Sequence, residues 1–530
     1  MPPLHFSQLS HRLADGRILF DNLQGTLGPG LTALIGRNGA GKSLLCQLLC
    51  DQQPPQSGQI TRPEHLVYVP QQPPCPEGSL ADMLGLTPIL QAQRRIENGE
   101  FDETDLARME GNWDAVAQAQ TALEQLNLPH TLAAKASALS GGERVKLRLW
   151  QAFAQRPQVL ILDEPGNHLD RAGRYWLRQR LSAFSGSVLL VSHDLSLLSQ
   201  VERVWDLTEQ GLAVYEGNYA DYLQHKAVHS AAIVRALANA DRALKHHRAQ
   251  QLRNEQKAQQ RVRQGKAKRG SHPKVLLDAM KDRATAACKG RRRQAEQTEQ
   301  HLRQSRCALS QKQAKDVRLR LTLGPQTSEL SSRRAVVRQL DECQLPFGSQ
   351  QPLQLTLHQG QRYRLLGANG SGKTTLFKVL LGQLAPAAGQ VQGQAPIGYL
   401  DQHCQILSGQ ASALAHLARF DVGESEAQRR TQLAGIGLRR DDALRPVAKL
   451  SGGEKMKLAM LLLGQGTSPP FLLLDEPDNH LDLEAKAVLI AALNNYPGGF
   501  LLISHDDGFA DAVNIEQILA LGSGSHQPDR

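Results

Sequence analysis

The chain has 530 residues, 41% of them hydrophobic, and a formal net charge of +10. That length carries two or three domains with cores of their own, while the longest apolar stretches, at 159–162, 187–191 and 471–474, fall far short of the roughly 18 residues a membrane-spanning helix needs. The seven cysteines are odd in number and form no CxxC pair, which argues against a disulfide framework or a zinc site; the start MPPLHFSQLS lacks a secretion-signal pattern, so a cytoplasmic protein is expected.

Along the chain, the first stretch that carries chemistry is GRNGAGKS at 36–43, after LTALI and before LLCQLLC. Strand, loop and helix in that order are what a GxxxxGK[ST] phosphate loop requires. Gly36, Gly39 and Gly41 let backbone N–H groups, with that of Asn38, close around phosphates at a helix N-terminus. Lys42 then reaches the β- and γ-phosphates, and the Ser43 hydroxyl ligates Mg²⁺. Gln71, after VYVP, is a weaker member of the same series.

LSGGE at 139–143 opens the next helix, and Ser140, Gly141 and Gly142 form a second anion-binding helix start. Asp163 closes the apolar strand LILD, a position from which a carboxylate holds the Mg²⁺ shell, and Glu164 beside it polarises the attacking water. A solvated acid pair opening a turn at Pro165 is the bland alternative, and it loses weight downstream of a phosphate loop. His193, after LLVS, is assigned a γ-phosphate contact rather than a structural role because the same residue returns later at equal spacing.

Residues 226–315 hold 23 Lys plus Arg against 6 Asp plus Glu, a local balance of +17 that leaves the rest of the chain at −7. A polyanionic partner touched by this segment and a merely solvated helical spacer both fit that balance. One helix is expected from 226 to about 264, broken near Gly265, Gly270 and Pro273, with a second from 275 to about 315.

The motif series before the basic segment then recurs. GANGSGKT at 367–374 supplies Gly367, Asn369, Gly370, Gly372, Lys373 and Thr374; Gln402, the LSGGE residues Ser451, Gly452 and Gly453, the pair Asp475 and Glu476, and His505 follow. Lys42 to Gln71 and Lys373 to Gln402 both span 29 positions, as do Glu164 to His193 and Glu476 to His505. From Gln71 to Ser140 is 69 positions but from Gln402 to Ser451 only 49, so the first copy carries about twenty extra residues between 86 and 113, either a short arm or a longer surface loop.

The ordered series of phosphate loop, Gln, LSGGE, apolar-DE, NHLD and SHD resembles the ABC ATPase family. NHLD in both copies (167–170, 479–482), YEGNYADYLQHK at 215–226 and the basic segment after it resemble its ABC-F branch, tandem ATPases that act on the ribosome. The resemblance implies an α/β fold: two P-loop ABC ATPase domains (1–222 and 317–521), each with a helical subdomain, joined by a long α-helical hairpin linker (223–316), and a short tail (522–530). It implies a monomer with two intramolecular ATP sandwiches. One would combine Lys42, Ser43, Gln71, Asp163, Glu164 and His193 with Ser451 and Gly453; the other would combine Lys373, Thr374, Gln402, Asp475, Glu476 and His505 with Ser140 and Gly142.

In ABC-F members the linker enters the tRNA exit region of the ribosome, which makes rRNA and tRNA the implied partners. Its core holds no aromatic residue, so phosphate contact and shape, not base stacking, would carry RNA binding. Family members commonly have Thr after Glu-Pro; here Gly166 and Asp478 stand instead, which points to a different hydrolysis rate or interdomain signal. The aromatic that stacks on adenine corresponds to Phe347 in the second domain, and only His11 is a candidate in the first. The alternative functions are the cytosolic ATP-hydrolysing subunit of a transporter and a DNA-structure-binding ATPase.

Overall fold

Fully buried strands set the architecture. In the computed structural model, VLILD and FLLLD are the strands Val159–Asp163 and Phe471–Asp475, buried at every residue. The structure describes residues 4–13, 16, 18–71, 78–126, 128, 131–167, 169–208, 210–267, 293–294, 297–310, 335–401, 404–407, 409–420, 425–465, 469–479 and 481–522. These divide into two compact units, residues 1–220 with 319–530, and residues 221–318.

The first unit contains the fold twice. Its first half has a sheet in the order Leu66–Val69, Val159–Asp163, Ser187–Val191, Gly30–Ile35, Arg203–Thr208, Gly211–Glu216, parallel except for the last strand. The second half repeats five of these in the same order: Ile397–Leu400, Phe471–Asp475, Phe500–Ile503, Arg362–Leu366, Gln517–Ala520. Such central parallel strands are covered on both faces, which is why they read as unbroken apolar runs. An antiparallel three-stranded sheet accompanies each, and Phe6 from the first such sheet meets Trp205 of the main sheet edge-on at 5.9 Å.

Helical subdomains complete the halves. In the first, Leu80, Met83, Leu123 and Leu147 share a buried cluster; in the second, Leu417, Leu433 and Leu458 do. The twenty extra residues of the first half form two short helices, Thr87–Glu97 and Glu103–Met109, rather than only a longer loop. Asp102 caps the second of these and Arg95 reaches the buried Asp105 at 3.3 Å.

In the second unit, the helix Tyr219–Ala267 pairs with helical residues 297–310. Arg306 meets Asp241 at 2.6 Å and Arg248 meets Glu299 at 3.0 Å. Partners that rise in one segment as they fall in the other make the two helices antiparallel. The first helix differs from the sequence expectation at both ends. It starts before residue 226 because the Asn218 side chain accepts the Ala220 N–H at 2.8 Å, a capping contact. It also passes through Gly265, a residue that costs a helix only about 1 kcal/mol. The expected break at Gly270 and Pro273 lies outside the described residues.

Candidate active site

Both phosphate loops end on a glycine in the left-handed region, Gly41 at φ +92° and Gly372 at φ +98°. At Gly41 a Cβ would also come within 2.6 Å of Leu19, so the position admits no side chain on either count. The helices Lys42–Leu49 and Lys373–Leu380 start directly after. Lys42 Nζ donates to the carbonyls of Gly36 (2.8 Å) and Arg37 (3.2 Å), and Lys373 Nζ to those of Gly367 (2.8 Å) and Ala368 (3.0 Å). Each ammonium is thus folded over its own loop, and burial pulls both lysines below their ordinary pKa.

Next to each loop lies a buried carboxylate. Thr374 Oγ1 donates to Asp475 Oδ2 at 3.1 Å, and Tyr399 and Tyr68 hydroxyls lie 3.5 Å from Asp475 Oδ2 and Asp163 Oδ2. Burial raises the pKa of both acids, and Asp163 Oδ1 has no hydrogen-bond partner. Ser43 hydrogen-bonds to Asp163, so at the first site a hydroxyl lies beside a buried carboxylate with an orphan oxygen, the hard-oxygen donor set that suits Mg²⁺.

The following glutamates hold an unusual backbone. Glu164 and Glu476 have φ of +49° and +51°, and their N–H groups donate to Val191 O (2.8 Å) and Ile503 O (2.9 Å) on the neighbouring strand. Non-glycine residues in this region are strained and concentrate at functional sites. The turn brings Glu164 Oε1 and His193 Nε2 to 3.4 Å, and Glu476 Oε1 and His505 Nε2 to the same distance. The carboxyls differ electrostatically. Burial drives Glu164 up to about 7 against the pull of Lys42, whereas at Glu476 burial is outweighed by His505 and Lys373 and the group sits below its usual range. Burial together with Lys42 and Lys486 keeps His193 far below its ordinary value, hence neutral.

A cavity of about 430 Å³ gathers Asn38, Gly39, Gly41, Lys42, Ser43, Gln71, Asp163, Glu164 and His193 with Asp478, Asn479, Leu481 and Lys486 of the second half. A second, of about 500 Å³, joins Gly367, Ala368 and His505 to Asp170, Arg171, Arg174 and Tyr175 of the first half. Each loop therefore faces the segment that follows the other half's Glu-Pro. Arg37 forks onto Glu484 (2.8 and 3.2 Å) and the Asn38 N–H reaches Asp482 at 3.3 Å.

Among the described residues, those of LSGGE line neither cavity. Ser140 and Ser451 instead cap helices Gly141–Ala154 and Gly452–Leu463 in reciprocal boxes with Glu143 and Glu454. Gln402 lies outside the described residues, as do His168 and His480 of the two NHLD motifs. Phe347 is 69% exposed beside the second loop, where Ser349 N–H donates to Ser371 O at 3.0 Å. His11 sits in a strand opposite Phe20, and Leu13 and Leu19 line the first cavity.

Sequence reasoning missed Arg174 and Lys486, both buried, which pair with Asp194 and Asp506. The signal was present: each is a cation four residues after the aspartate of NHLD. Tyr68 and Tyr399, each three residues before the glutamine of the series, were legible in the same way.

Two phosphate loops, each with a buried acid pair and a facing histidine on the same doubly repeated sheet, define a tandem nucleotide-hydrolysing ATPase. The model of the ABC transporter family matches residues 20–167 and 350–479. Probable ATP-binding protein YheS of Escherichia coli K12 is 31% identical over 512 residues, covering 92% of this chain and 74% of that protein. Energy-dependent translational throttle protein EttA of Mycobacterium tuberculosis H37Rv is 29% identical, with 93% and 87% covered. Among solved structures, archaeal ribosome recycling factor aABCE1, in complex with ribosomal stalk protein aP1, aligns over 97% of this chain and 87% of its own at a TM-score of 0.58 and 18% identity, a likeness of fold. The chain belongs to the ABC-F family of tandem ABC ATPases and is an ATP hydrolase.

Proposed function

We propose that this chain is a cytoplasmic, monomeric ATPase that binds the ribosome at the tRNA exit region through its basic linker and modulates translation or protects it against stalling or antibiotics. The observation that carries this reading is the +17 balance of residues 226–315 set between two mildly acidic ATPase halves. The relative named a translational throttle protein supports it. Among the described residues no helix is long and apolar enough to cross a membrane. The working division is 1–222 and 317–521 for the ATPase domains and 223–316 for the linker.

At each site, Lys42 or Lys373 would swing from its own loop carbonyls onto the β- and γ-phosphates, which the loop N–H groups enclose. Ser43 with Asp163, and Thr374 with Asp475, would hold Mg²⁺, which when bound neutralises phosphate charge. Glu164 and Glu476 would orient and deprotonate the attacking water, and His193 and His505 would contact the γ-phosphate. Gln71 and Gln402 complete the two sets. Ser451 to Gly453 and Ser140 to Gly142 would close on the nucleotide held by the opposite half.

Co-sedimentation of the Glu164→Gln, Glu476→Gln double variant with ribosomes in ATP tests the partner. Enrichment in the ribosomal fraction is expected, and its absence overturns the ribosomal reading. Adenine at the second site would stack on Phe347. Phe347→Ala is therefore expected to weaken ATP binding there by about 1 kcal/mol, near fivefold, measured by equilibrium titration with the first loop disabled by Lys42→Ala.

A further inference from the structure

A buried chain of polar contacts joins the two sites. Arg174 and Lys486 hold equivalent places in the helices Arg171–Ser182 and Leu483–Asn494, and are 7% and 4% exposed. Arg174 pairs with Asp194, and Lys486 Nζ lies 2.7 Å from Asp506 Oδ2. That same oxygen accepts the Leu195 N–H of the other half at 3.3 Å. Asp194 and Asp506 are bonded directly to His193 and His505. One hydrogen bond therefore closes a path from one histidine to the other, through Asp194 and Leu195 to Asp506.

The surroundings leave little slack. A Cβ on Gly508 would lie 2.8 Å from Leu195 Cβ. Asp507 is shared by Arg171 of the first half (3.1 Å) and Arg364 of the second (2.8 Å). Asp478, 3% exposed, lines the first cavity beside Lys486 and has an Oδ1 with no hydrogen-bond partner. Buried ion pairs are poor stabilisers compared with apolar packing, because desolvation offsets their attraction. Two of them meeting across the boundary between halves suit a part that must register position.

We propose that the Asp194–Leu195–Asp506 bridge, clamped by Arg174 and Lys486, couples the two ATP sites, so that movement of one histidine on its nucleotide displaces the other. Arg174 and Lys486 are positioning residues, acting through the aspartates they hold. Coupling of this kind is a free energy shared between sites and is reciprocal for binding.

The experiment disables the second site with Glu476→Gln and measures how far ATP turnover of the full chain falls, in the parent and in two bridge variants. Leu195→Pro removes the bridging N–H and exchanges the half-buried leucyl side chain for a ring. Leu195 opens a helix after Asp194, whose extended backbone (φ −82°, ψ 114°) suits the residue before a proline. The double change Lys486→Met with Asp506→Asn removes the second clamp with no change of net charge, leaving Arg174 as the cation acting on the buried Asp478. Coupled sites should lose more than about tenfold in the parent, and uncoupled sites only the about twofold of one independent site in two in either bridge variant. Lys486→Arg, which keeps a cation on Asp506, should behave like the parent.

A parent fall of only twofold, or an equal fall in all backgrounds, overturns the bridge, and a twofold fall in Lys486→Arg overturns the part assigned to the charge. The inference rests on the two ATP sites assigned above. Failure of that assignment would look different: turnover untouched by Glu476→Gln in every background.

Discussion

Replacing Glu164 and Glu476 together by Gln is expected to lower ATP turnover by about 10²- to 10⁴-fold, the usual worth of a positioned general base. ATP binding should stay close to that of the parent. The change keeps side-chain size, leaves Lys42, Lys373, both phosphate loops and both Asp-hydroxyl pairs untouched, and removes only the ability to take a proton from water. The neighbouring contacts support a retained geometry, since the Glu164 and Glu476 N–H groups are held by Val191 O and Ile503 O whatever the side chain. Phosphate release and equilibrium nucleotide titration measured side by side decide the point. Turnover within threefold of the parent would remove both glutamates from the catalytic assignment.

The singles carry a second expectation. The pH dependence of kcat/KM reports the base of the free enzyme. In Glu476→Gln only Glu164 remains, raised to about 7 by burial. The active form is the carboxylate, so the residual kcat/KM should climb as pH rises through about 7. In Glu164→Gln the remaining Glu476 sits below its usual range and is ionised throughout that window, so the profile there should be flat. Identical profiles from pH 6 to 8 would contradict the electrostatic difference between the sites.

Repetition made the candidate site legible. A single DE pair or a lone histidine says little, but Asp163, Glu164 and His193 return as Asp475, Glu476 and His505 at unchanged intervals, and the structure places each trio beside a phosphate loop. The parallel sheets were legible because strands covered on both faces are apolar at every position. The left-handed backbone at Glu164 and Glu476 was not, because it follows from the N–H bond each makes to a strand distant in sequence. Arg174 and Lys486 looked like ordinary solvated helix cations. Their shared place four residues after the aspartate of NHLD marks them in the sequence, but their burial against Asp194 and Asp506 is visible only in the structure. The start of the long helix at Tyr219 was hidden because charge marks where the linker becomes basic, whereas a capping side chain, Asn218, marks where a helix begins.

Neutralising Arg235, Arg242, Lys245, Arg253, Lys257 and Arg293 to Gln is expected to remove most of the salt-dependent affinity for ribosomal RNA. All six are exposed. Arg248 and Arg306 stay in place because they join the two helices through Glu299 and Asp241, and Arg303 because Glu299 already holds it within its own helix. If each of the six neutralises one phosphate, the slope of log affinity against log salt should flatten by about 5, and the parent alone should lose about 10³-fold between 50 and 200 mM salt. ATP turnover without RNA should be unchanged, since the six residues lie in the linker unit and none lines either cavity. An unaltered slope in the variant would return the segment to a solvated spacer. The same titration with branched DNA separates the remaining reading. Phosphate charge alone would give both polymers the same slope and affinity, so a preference for RNA at equal charge must come from A-form shape and the 2′-hydroxyl, the two features a linker without aromatic residues is left to recognise.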